Sequence, residues 1–207
     1  MDILSMLQGQ LSPDLVGQLS DHVGASPEQT TQAANGIFAT LLGGLANNAT
    51  SEGGLSALSA ALDRDHDGSI IDDVLGMVGG LMQGGDGLSK AANGSGILGH
   101  VLGDRQEAAA EQIGQSSGLN MGQVMKLMPI LAPLVMSALG KAKSSGGLDL
   151  GGLAGVLMGS AQQAQQQTGM GDLIGSILGQ VMGGNQNQAQ PSAGDMLGNL
   201  LGGMLGK

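Results

Sequence analysis

Residues 12–45 read SPDLVGQLSDHVGASPEQTTQAANGIFATLLGGL, and two helix starts within this stretch decide the fold. Ser12, Pro13 and Asp14 stand in the order of cap, first-turn proline and acid favoured by the helix dipole. The helix they open is predicted to stop near Gly24. Ser26, Pro27, Glu28 and Gln29 repeat the device: Ser26 can accept from the amide three residues on while Gln29 reaches back, which is a capping box. A longer helix then runs through Ile37, Leu41, Leu42 and Leu45. Asn47, Asn48 and Ser51 mark a turn, and the spacing of Leu55, Leu58 and Leu62 predicts a short amphipathic helix ending at Asp63.

The second half follows the same script. Asp104 with Glu107 predicts a helix through Ile113 that stops at Gly118, and Asn120 with Gln123 opens another through Val124, Leu127, Leu131, Val135 and Leu139. Gln18, Gly24, Ser26 and Gln29 correspond to Gln112, Gly118, Asn120 and Gln123 at a constant offset of 94. The turn Gly53-Gly54-Leu55 returns as Gly146-Gly147-Leu148 at an offset of 93. Cap, stop, turn and apolar periodicity agree together, which argues for an internal duplication.

A third pattern occupies the end of the chain. Glycines at 171, 175, 179 and 183 recur at 194, 198, 202 and 206, and each block begins Gly-Asp. Spacing by four puts the glycines in a slowly drifting stripe where another backbone can approach, with Leu173, Ile177, Leu178, Val181 and Met182 opposite. Each interior glycine costs about 1 kcal/mol relative to alanine, so such helices need a packing partner to form. Related fragments occur at 74–82 and 97–103. The Gln- and Asn-rich segments 162–167 and 185–191 read as flexible linkers. The expected organisation is therefore all-α: a first helical repeat with an acidic loop over 1–103, a second repeat over 104–160, and linkers with two short glycine-rich helices over 161–207.

Composition narrows the function classes. The 207 residues include forty glycines and thirteen methionines, with Phe38 the sole aromatic residue. The glycines sit among Leu, Ile, Val and Met, so an aliphatic and thioether core packed around small residues is expected rather than a solvated linker. Seventeen acids against seven Lys and Arg give a net charge of -10, which disfavours nucleic acid and anionic lipid as partners. No cysteine is present, which removes disulfides and thiolate chemistry. The first residues lack the features of a signal peptide, and a cytoplasmic location is the expectation. The most apolar run, 127–139, is interrupted by Pro129 and Pro133 and reads as a buried core helix rather than a membrane span.

The sharpest chemical signal is Asp63-Arg64-Asp65-His66-Asp67-Gly68-Ser69-Ile70-Ile71-Asp72-Asp73. Acids at positions one, three and five with glycine at six match the first half of a calcium loop: alternate side chains of a tight loop converge on a hard cation, and the Ser69 carbonyl adds an oxygen. Position twelve, where the loop normally closes with a bidentate acid, is Val74, while Asp72 and Asp73 arrive early. Asp63, Asp65, Asp67, Ser69, Asp72 and Asp73 are thus the candidate ligands for calcium, and an acidic turn at Asp67-Gly68 that helps cap the next helix is the alternative. His22, His66 and His100 share no metal-ligand spacing. Gly94-Ser95-Gly96 with Gly99 resembles a dinucleotide fingerprint but no strand precedes it, and neither a nucleophile elbow nor a P-loop lysine occurs. No pair of acids is singled out for acid–base work, so a non-enzymatic protein is expected.

The segment Leu62-Asp63-Arg64-Asp65-His66-Asp67-Gly68-Ser69-Ile70-Ile71-Asp72-Asp73-Val74-Leu75-Gly76, followed by a glycine-rich apolar stretch, resembles the bacterial family called domain of unknown function 937, with YidB-like proteins in its wider circle. The resemblance covers roughly 19–159. It implies an all-helical fold and no activity, so it supplies no functional residues. The residues themselves suggest three roles: a structural or interaction protein that self-associates or docks its tail through glycine stripes, a calcium-responsive module, and a peripheral membrane protein. Net negative charge and the scarcity of lysine in the tail make the last the least favoured. The expected partners are a second copy of the chain or another protein.

Overall fold

The computed structural model describes residues 3–51, 53–65, 76, 79, 87–146 and 150–168. All its regular elements are helical: α1 (Ile3–Gln10), α2 (Pro13–Val23), α3 (Pro27–Thr50), α4 (Gly54–Asp65), α5 (Gly87–Val101), a 3-10 turn (Gly103–Arg105), α6 (Gln106–Ser117), α7 (Met121–Gly146) and α8 (Leu150–Thr168). The glycine-striped segments 171–183 and 194–206 and the linker 185–191 lie outside the described residues.

The capping residues set the first boundaries as the sequence predicts. Ser12 is extended and its hydroxyl accepts from the Leu15 amide, with Pro13 in the first turn of α2. Gly24 ends that helix at φ 68°, a left-handed conformation that glycine adopts without strain. Ser26 and Gln29 make the reciprocal pair of bonds, each 3.3 Å, at the start of α3.

Helices α3 and α7 form the centre. Residues 36–46 of α3 are all buried, as are 130–140 of α7, so each helix is covered on every side along its middle. Helix α8 lies along α3 and α5 along α7, while α6 packs on both central helices. Helix α1 touches α3, α7 and α8, and α4 touches the same three helices. One continuous apolar cluster results, joining Leu4, Leu19, Phe38 and Leu62 to Ile113, Leu131, Leu139 and Leu157. Gly36, Gly43 and Gly44 are buried within α3. A Cβ on Gly44 would come within 2.6 Å of Val101 Cγ1 and 3.1 Å of the Val101 carbonyl oxygen, so the end of α5 is seated where α3 has no side chain.

Several boundaries differ from the sequence expectation. Asn47 and Asn48 belong to the last turn of α3, and the chain leaves it only at Ser51, whose hydroxyl donates back to the Asn48 carbonyl. Asp104 does not cap α6; it lies in the 3-10 turn, because Gly103 at φ 54° reverses the chain one residue before it. The Leu102 amide of that corner donates to the Leu98 carbonyl. Residues 162–167 continue α8 rather than forming a linker. Pro129 and Pro133 lie inside α7 and do not shorten it. By length and composition, residues 121–145 of α7 could cross a membrane, yet 72% of the most apolar 18-residue stretch within them is buried against the other helices.

Candidate functional site

The acidic segment begins on a helix that is firmly held. Leu58 and Leu62 are buried in the core, and Lys143 of α7 donates to both the carbonyl (3.2 Å) and the hydroxyl (2.6 Å) of Ser59. These contacts fix α4 one turn ahead of Asp63. The helical backbone then continues through Asp63 and Asp65, two residues beyond the expected stop. Asp67, Ser69, Asp72 and Asp73 lie outside the described residues, so the six candidate ligands are not brought together in view. Among the described residues, no three His, Asp or Glu side chains gather as a metal site would require.

The other polar residues singled out by the sequence have definite places. His22 lies in the last turn of α2 and His100 in the last turn of α5, while His66 lies outside the described residues. Gly94, Ser95, Gly96 and Gly99 sit within α5. A helix cannot present its amides as the phosphate-binding turn of a dinucleotide site does, so the resemblance there is coincidental. At the start of α3, Pro27, Glu28, Thr31, Gln32 and Asn35 line an open, shallow concavity of about 450 Å³.

The most organised polar arrangement is at the junction of the two halves. Asn120 and Gln123 form a capping box with both bonds at 2.9 Å, matching Ser26 and Gln29. Each N3 glutamine has a second task. Gln29 Nε2 donates to the Gly118 carbonyl at 3.0 Å. Gln123 Nε2 donates to the Val23 carbonyl at 2.9 Å and the Gly24 carbonyl at 3.3 Å. Each glutamine thus uses its oxygen for its own helix and its nitrogen for the αL turn that ends the preceding helix of the opposite half. The Gly118 and Gly24 amides in turn donate to the carbonyls of Gly114 and Ser20. A hydroxyl pair, Ser20 to Thr30 at 2.9 Å, is buried beside the first turn, and Asn48 Nδ2 ties α3 to the His100 carbonyl at the end of α5.

Sequence reasoning found the two capping boxes but not the cross-ties. The available signal was the choice of glutamine at N3 in both: glutamate would satisfy the cap equally well, but only the amide can also donate.

These features define an all-helical body whose halves are tied crosswise by the same glutamines that cap its two central helices. The chain belongs to a bacterial protein family of unknown function, DUF937, whose model matches residues 5–142. No curated protein and no solved structure matches it.

Proposed function

We propose that this is a non-enzymatic structural or protein-interaction protein, built by duplication of one helical unit and self-associating through the glycine-striped segments that follow α8. The observation that carries the duplication is positional. Buried Leu15, Val16, Leu19, Ser20 and Val23 of α2 correspond at an offset of 94 to buried Ala109, Ala110, Ile113, Gly114 and Ser117 of α6. The same offset relates the left-handed caps Gly24 and Gly118, the two capping boxes and the two cross-ties. Inheritance of one unit twice accounts for all four at once. Self-association is supported by the regular glycine spacing, which is costly unless its smallness is used in a contact.

The test is the solution mass of the full chain against a chain ending at Thr168, which keeps α8 whole. The expected result is a full chain heavier than one copy and a truncated chain with reduced association. Equal single-copy masses would leave the tail without an interaction role.

A calcium-responsive module is the second reading, favoured by the acids at 63, 65 and 67 with Gly68 at the sixth position. Calcium at about a hundredfold excess over its Kd should stabilise the fold by about 2.7 kcal/mol. Asp63→Ala with Asp67→Ala should abolish the rise in melting temperature; a melt insensitive to calcium in the unaltered protein leaves the segment as an acidic turn.

A further inference from the structure

We draw no further inference here: the strongest candidate, the outward face of α8, where Gly151, Gly155 and Gly159 recur every four residues beside the exposed Met158, is a stripe of small residues, and nothing in the structure shows what covers it.

Discussion

Gly94→Ala sets helix propensity against a packing contact, and the structure decides the sign. Propensity alone favours alanine by about 1 kcal/mol in a helix interior. Gly94, however, is buried against the Pro129 carbonyl: an added Cβ would overlap its oxygen and lie 2.7 Å from its carbon and 3.0 Å from Cα. All three atoms are backbone of the central helix α7, so none can rotate aside. Overpacking of this kind costs about 1–3 kcal/mol, and because the obstacle is backbone the upper part of that range applies. The net expectation is a loss of about 1–2 kcal/mol, or a melting temperature lower by about 2–8 °C for a chain of this size. Gly96 and Gly99 lie on the same helix, exposed and with nothing within 4 Å of an added Cβ. Gly96→Ala and Gly99→Ala should therefore each stabilise by about 1 kcal/mol. Urea unfolding followed by circular dichroism measures all three. A Gly94→Ala protein as stable as the Gly96→Ala protein would refute the close seating of α5 on α7.

Gln29→Ala and Gln123→Ala should each cost about 1–2 kcal/mol, since each removes a cap acceptor and a cross-tie. Combined, they should depart from additivity by at least about 0.5 kcal/mol because both ties close the same ring of turns; strictly additive urea midpoints would mean that the ties act separately. Gly24→Ala and Gly118→Ala both force alanine to φ values of 68° and 76°, at about 1–2 kcal/mol each. At Gly118 the new Cβ would also stand 2.9 Å from Gln29 Nε2, so thermal melts should rank Gly118→Ala as the more damaging. Gly175→Leu with Gly179→Leu should make an isolated tail peptide more helical while lowering the solution mass or stability of the assembled protein; an unchanged mass with a higher melt would remove the stripe as an interface.

What could be read in the sequence was what is decided locally. Ser12, Ser26 and Asn120 bond to amides three residues on, and Gly24 and Gly118 end helices by backbone conformation, so each is legible within a window of a few residues. The second role of Gln29 and Gln123 was not legible, because their carbonyl partners lie 89 and 99 residues away along the chain. Asp104 misled because a good capping residue is ineffective when the preceding glycine has already turned the chain. Residues 162–167 misled in the other direction. Their composition suits a solvated linker, but the segment extends a helix whose earlier Leu153 and Leu157 are fully buried and supply the nucleus that a glutamine run lacks. The acidic segment remains legible only as a spacing of ligands, since Asp67, Ser69, Asp72 and Asp73 fall outside the described residues.

The two prolines of α7 show how tertiary packing can override a local rule. Pro129 and Pro133 have no N–H, so the carbonyls of Met125 and Pro129 lose their intrahelical donors, and an isolated helix would break there. Here the surroundings hold the helix continuous. Residues 130–140 are buried on all sides, and the Gly94 backbone is pressed onto the Pro129 carbonyl, where a Cα–H can take up part of the lost donation. In lipid, a carbonyl deprived of its helical donor needs the same kind of cover. The length and apolarity of α7 therefore do not by themselves argue for a membrane span: of its two proline-freed carbonyls, that of Pro129 is met by α5, and withdrawing α7 into a bilayer would forfeit that contact along with the apolar packing that makes it the second axis of the fold.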